Sequence, residues 1–279
     1  MALDFKAAGE TYRRDGVVFL PGALDAEAVA GALRAYEWSI ANPGPRASRV
    51  AQRGDGLFYQ DLYHALGNPA AMDAYRGVLQ NSGIADVVAS LWGSPDVWFM
   101  YEQVFLKEGG DARRTPWHQD SSYLTVAGED LAVMWITFDA VKAEDSLEFV
   151  KGSHKGRLYN GSRFDLDDDT LPLHETDAIP RLPDIEARRD DFDIVSWAVN
   201  PGDVVIFHPA TLHGGAPTRP GQRRRTLTLR FFGEQAHYDL RPGPAGPPIQ
   251  GFHKRLGQGD PFRDPAFEKL RPREGRTAA

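Results

Sequence analysis

From residue 96 onward the chain breaks into six short runs rich in β-branched and aromatic residues: DVWFMYEQVFLK, LAVMWITFDAV, SLEFV, DIVSWAV, DVVIF and RTLTLRFF. Gly, Pro and Asp bound them, and no helical pattern intervenes. Strands that follow one another without crossover helices bury their apolar faces against other strands, so a two-sheet sandwich or small barrel is predicted. Residues 1–95 read differently. DAEAVAGALRAYEWSIAN starts with Asp25 as a helix cap and carries Val29, Leu33 and Tyr36 at helical spacing. PAAMDAYRGVLQ and GIADVVASLWG read as two further helices, and GVVFLPG as a short β-rich run. The plan is one domain over 1–279: a mostly helical part at 1–95, a β core at 96–235 and an irregular tail at 236–279. Inside the core, the polar connection at 154–192 is long enough to predict a lid or a substrate-facing segment.

The residue inventory narrows the chemistry. There is no cysteine, so any metal must be held by imidazole and carboxylate. A net charge of −7 gives the chain as a whole no nucleic-acid footprint. No apolar run approaches the ~20 residues of a membrane span. MALDFKAAGETYRRDG has no basic-then-apolar pattern, and the protein reads as cytoplasmic. The sequence sets no oligomeric state.

In TPWHQDSSYL, His118 and Asp120 stand two apart. On an extended segment both project to one face, with Trp117 and Gln119 on the other. A third ligand comes from His213, in PGDVVIFHPATLHGG, where a Pro-Gly-Asp turn launches a strand that ends at a Gly-Gly pair. Two histidines and one carboxylate leave a face of an octahedral ion open, the arrangement of non-haem Fe(II) oxygenases. Eleven residues beyond His213, period-two alternation divides RRRTLTLRFF. Leu227, Leu229 and Phe231 take one face; Arg224, Thr226, Thr228 and Arg230 take the other. A guanidinium with a hydroxyl two residues on makes a carboxylate receptor, and alternation favours Arg224 over Arg223 and Arg225.

WHQD, the GSH segment at 152–154, the PGD-to-LHGG strand and the arginine at plus eleven together resemble the phytanoyl-CoA dioxygenase family of 2-oxoglutarate-dependent oxygenases. YRRDGVVFLPGALDAE near the N-terminus extends the likeness to roughly residues 11–235. The resemblance implies a double-stranded β-helix (jelly-roll) core, Fe(II), O₂ and 2-oxoglutarate, with release of succinate and CO₂ as a small-molecule substrate is oxidised. It assigns His118, Asp120 and His213 to the metal, Arg224 and Thr226 to 2-oxoglutarate, and Lys107 and Trp135 to the walls of its pocket. Gly215 departs from the small polar residue of many members. Asp120 stands where related halogenases have a small residue, which favours hydroxylation or another hydrogen-abstraction outcome.

Other readings compete at several points. His237 and Asp239 repeat the i, i+2 spacing with only His253 downstream, no strand ending in glycines and no spaced arginine. His208, five residues before His213, is a rival third ligand ranked below it; His154 reads as capping or satisfying a turn, and DLDDD as a solvated loop rather than a calcium site. The wider alternatives are a jelly-roll binding protein without catalysis, a 2-oxoglutarate-driven desaturation or cyclisation, and metal-assisted hydrolysis, which has no use for Arg224.

Overall fold

The computed structural model describes residues 3–110 and 112–272. The N-terminal part runs α1 (Phe5–Asp15), β1 (Val17–Leu20), α2 (Ala26–Ala41), β2 (Ser48–Arg49), β3 (Leu57–Leu62), α3 (Pro69–Asn81) and α4 (Ile84–Trp92). The core follows with β4 (Val97–Glu108), β5 (Thr115–His118), β6 (Val126–Ala127), β7 (Leu131–Thr137), β8 (Leu147–Val150), β9 (Ile194–Ser196), β10 (Val204–Phe207), β11 (His213–Gly215) and β12 (Arg223–Phe232). The tail adds β13 (His237–Tyr238), the short helix α5 (Phe252–Arg255) and β14 (Glu268–Arg271). A segment read as irregular therefore supplies two strands. Its alternation was too brief to register, and β14 is ordered by pairing with the far end of β4.

Two antiparallel sheets form the jelly-roll. The larger runs β1-β10-β7-β12-β4-β3-β2, with β14 also on β4; the smaller runs β5-β11-β8-β9. The described strands do not close into a barrel, so the sandwich is the outcome. The helices cover one face of the larger sheet, because its strands alternate as β12 does. Leu227, Leu229 and Phe231 are fully buried toward α2, α3 and α4, whereas the opposite face looks into the space between the sheets. Local signals set the helices. The Asp25 carboxylate accepts from the Ala28 amide at 2.8 Å, and α4 stops at Gly93 with φ 75°.

The PGD-to-LHGG run is not one strand. Pro209 cannot donate to a ladder, so the chain leaves the larger sheet after Phe207, turns, and rejoins in the smaller sheet at His213. Gly214 and Gly215 sit where the neighbouring strand leaves no room for a side chain. A Cβ on Gly214 would lie 3.1 Å from the Thr115 carbonyl, and one on Gly215 would lie 3.0 Å from Leu147.

On the helix side of β4, Glu102 is 1% exposed. Its Oε1 accepts from the backbone N–H of His64 at 2.6 Å and of Ala65 at 3.0 Å, bracing the turn at Tyr63. Burial pushes its carboxyl up to about 7, against the backbone hydrogen bonds that favour the charged form. A raised folded-state value means that the stability Glu102 contributes is complete below about pH 4.5 and is lost as pH climbs through about 7. Glu102→Gln therefore gains on the wild type between pH 5 and pH 8 by roughly 2 kcal/mol. Denaturant unfolding at the two pH values measures the difference, and a constant gap between the proteins refutes it.

Candidate metal centre

The centre starts from strand register. β11 pairs antiparallel with β5 so that His213 stands directly opposite His118, and the two rings lie 4.2 Å apart between centroids. Gln119 keeps an extended backbone before a 3-10 turn begins at Asp120, which returns the carboxylate to the His118 side. Gln119 itself points away and donates to the Ala210 carbonyl at 2.7 Å, tying this segment to the turn that leads into His213. His118 Nε2 lies 3.4 Å and His213 Nε2 3.9 Å from Asp120 Oδ1. Among the described residues this is the one group of three such side chains whose ligand atoms fall within 4.8 Å of one another.

Hydrogen bonds behind the rings fix what faces the centre. His118 Nδ1 is 2.8 Å from the Pro116 carbonyl and His213 Nδ1 is 2.9 Å from the Thr211 carbonyl. A carbonyl accepts only, so Nδ1 carries the proton and the Nε2 lone pairs are left for a metal. Burial, then the adjacent His118, push His213 down to about 3, which keeps it neutral. Burial alone would raise the Asp120 carboxyl. The buried Arg230 guanidinium, together with His118 and His213, outweighs it and holds that carboxyl well below the usual carboxylate range. Arg230 donates from Nε at 3.1 Å and from Nη2 at 2.8 Å, both to Asp120 Oδ2.

The triad opens onto a cavity of about 930 Å³ between the sheets. At its other end, β12 and β4 place Arg224 and Lys107 directly opposite each other. Like charges in that position destabilise a sheet. Both are buried, and among the described residues neither side chain hydrogen-bonds to a carboxylate. Arg224 donates to the carbonyls of Asp145 and Ala216; Lys107 donates to the Arg113 carbonyl at 2.8 Å and the Thr115 hydroxyl at 3.2 Å. Burial lowers Arg224 to about 10, and burial together with Arg224 lowers Lys107 well below its ordinary value. Ala216 and Thr115 each lie three residues from a histidine of the triad, so this cationic end sits roughly 10 Å along the smaller sheet from the centre. Thr226 and Trp135 also line the cavity, on the larger sheet.

The competing residues are engaged elsewhere. His208 has its Nε2 3.0 Å from the Gly128 carbonyl and accepts at Nδ1 from Ala210. Asp239 is held by Arg241 and Gln258. His154 packs against His208.

Three features were not read from the sequence. Arg230 was placed on the polar face of its strand, but its bond to Asp120 depends on sheet-to-sheet packing. Phe164, from the long connection, sets its ring edge-on to His118 at 5.5 Å, with backbone φ 57° in a region that non-glycine residues seldom adopt. Pro244, Ala245, Gly246 and Pro248 of the tail close the cavity, and a Cβ at Gly246 would collide with the Tyr63 hydroxyl.

Comparison with known proteins adds family and fold. The family model described as phytanoyl-CoA dioxygenase (PhyH) matches residues 12–226. The probable phytanoyl-CoA dioxygenase of Caenorhabditis elegans is 25% identical over 156 residues, covering 53% of this chain and 47% of the relative. The chain spans about half the length of the curated relatives it matches. Among solved structures, the non-heme alpha ketoglutarate dependent epimerase SnoN from nogalamycin biosynthesis has a TM-score of 0.67 at 22% identity, covering 98% of each chain. The carbocyclase SnoK from the same biosynthesis has a TM-score of 0.67 at 21% identity, covering 95% of this chain and 96% of its own. At these identities the likeness is one of fold.

One divalent ion should bind per chain. Asp120→Ala removes the anionic ligand and weakens Fe(II) or Co(II) by more than ~100-fold, beyond the cost of losing an outer partner. Anaerobic titration calorimetry checks this, and undiminished binding by the variant counts against the centre.

Proposed function

The chain belongs to the phytanoyl-CoA dioxygenase family, and we propose that it is a dioxygenase using Fe(II), 2-oxoglutarate and O₂ to oxidise a small molecule, with hydroxylation as the outcome. One observation carries the reading. A two-histidine and carboxylate triad and a pair of buried cations with no carboxylate hydrogen bond among the described residues stand at opposite ends of one cavity.

The donor set fits iron. Two imidazoles and a carboxylate suit Fe(II), and the cysteine-free chain offers no softer ligand. The same triad suits zinc hydrolysis, but that chemistry has no use for Arg224 and Lys107. A five-carbon keto diacid uses both ends, chelating at the triad and setting its far carboxylate against the guanidinium and ammonium. SnoN, similar in fold, has been crystallised in complex with Fe3+ and alpha ketoglutarate.

Bound iron with its keto acid supplies the activation of O₂ and the oxidation of a C–H bond. The chain supplies the rest. Pro116 and Thr211 orient the imidazoles; Arg230 keeps Asp120 ionised; Arg224 and Lys107 fix the direction in which the keto acid enters. Tyr123, whose hydroxyl donates to the Ser162 carbonyl at 2.8 Å, and Phe164 wall off the His118 side and limit access of water. Aromatic residues at Phe58, Tyr63, Tyr101 and Phe105 form an apolar wall suited to a substrate body. The intact Asp120 favours hydroxylation over halogenation.

With Fe(II), 2-oxoglutarate and O₂, the wild type forms succinate. Arg224→Met raises the 2-oxoglutarate dissociation constant by about 10–100-fold, the worth of a charged hydrogen-bonding partner, while leaving metal affinity unchanged. No metal-dependent binding of 2-oxoglutarate by the wild type contradicts the reading.

Lys107 gives a second check. Its lowered value means that a carboxylate arriving beside it draws in a proton. The calorimetric enthalpy of 2-oxoglutarate binding at alkaline pH then varies with the ionisation enthalpy of the buffer, and this dependence disappears in Lys107→Met. A buffer-independent enthalpy in the wild type overturns the assignment.

A further inference from the structure

We propose that Arg230 is a positioning residue that confines Asp120 to one-oxygen coordination and so keeps the last position of the bound iron open. The inference rests on the metal-centre reading above and adds a role for a side chain that lines the cavity beside Asp120.

Geometry separates the two carboxylate oxygens. Oδ1 faces His118 Nε2 and His213 Nε2. Oδ2 faces away and receives both Nε and Nη2 of Arg230. An oxygen that accepts two charge-assisted hydrogen bonds has its lone pairs committed and cannot swing round to a metal without breaking both.

The guanidinium is itself immobilised. Nη1 donates to the Thr228 hydroxyl at 3.1 Å, Nη2 also donates to Gln103 Oε1 at 2.9 Å, and Cζ lies over the Tyr101 ring, 4.5 Å from its centroid. All three nitrogens already donate within the protein. Four of the five guanidinium N–H donors are thus engaged, which leaves Arg224 and Lys107, at the other end of the cavity, as the receptor for 2-oxoglutarate in the proposed function.

Coordination arithmetic gives the consequence. Three protein atoms leave three positions on an octahedral ion, and a chelating keto acid takes two. If Asp120 bound through both oxygens, no position would remain for a small gas molecule. A lysine preserves the charge but not the planar fork that grips one oxygen twice, so Arg230→Lys separates geometry from electrostatics.

Nitric oxide reports the vacant position directly, through the electron paramagnetic resonance signal of its Fe(II) adduct. Full-length wild type, Arg230→Lys and Arg230→Gln are loaded anaerobically with saturating Fe(II), then titrated with nitric oxide with and without 2-oxoglutarate. Without the keto acid all three bind nitric oxide comparably. With it, the wild type still binds, and both variants weaken at least about tenfold. Thr228→Val, a nearly isosteric change that removes one anchor of the guanidinium, falls in between and covers the case in which an Arg230 variant does not fold. Variants, Thr228→Val included, that match the wild-type titration with keto acid present overturn the proposal, even if their melting temperatures fall, because Arg230 is then structural only. A wild type that fails to take up Fe(II) overturns the metal centre itself, so the two failures are distinguishable.

Discussion

The pairing of His118 with His213 across two short strands is the contact on which the centre is built. β5 has four residues and β11 three, and their antiparallel register sets two imidazoles side by side. A slip of one residue would send one of them to the opposite face. Gly214 and Gly215 let the strands approach closely enough for that register, and Gln119 ties the chain segments behind it. The helix layer, remote from the centre, holds the larger sheet rigid beneath this pair. Leu227, Leu229 and Phe231 are buried against it, and Arg224, Thr226, Thr228 and Arg230 of the same strand are thereby aimed into the cavity.

Charge is distributed against the overall balance of the chain. The protein carries −7, yet the charged side chains lining the cavity are cationic apart from Asp120. Arg230 neutralises that one carboxylate. Arg224 and Lys107 are buried at a cost that their bonds to backbone carbonyls and the Thr115 hydroxyl, with the Asp145 charge near Arg224 and the Phe58 ring under Lys107, offset in part. Two cations opposite each other on adjacent strands destabilise a sheet, and under the proposed function a dicarboxylate bound against them would offset that cost.

The sequence revealed features that depend on local periodicity. The polar face of β12, the cap at Asp25 and the strand-rich core follow from spacings of two and of about three and a half residues, and the i, i+2 relation of His118 and Asp120 needed only an extended Gln119. Features that depend on long-range packing were hidden. Nothing near Asp120 in sequence announces Arg230, because their contact spans the gap between two sheets. Phe164 lies in a connection without periodic pattern, and its ring is aimed by an unusual backbone angle. The tail seemed irregular because two- and four-residue strands carry no alternation to detect, yet residues 244–248 close the cavity. The break between β10 and β11 was signalled by Pro209, but not the change of sheet that follows it.

A crystal structure of the protein with Fe(II) and 2-oxoglutarate, prepared without oxygen, addresses the arrangement most directly. It should place His118 Nε2, Asp120 Oδ1 and His213 Nε2 on one ion, with the far carboxylate of the keto acid against Arg224 and Lys107. An ion seated elsewhere, or a keto acid whose far carboxylate meets neither cation, would contradict the arrangement described.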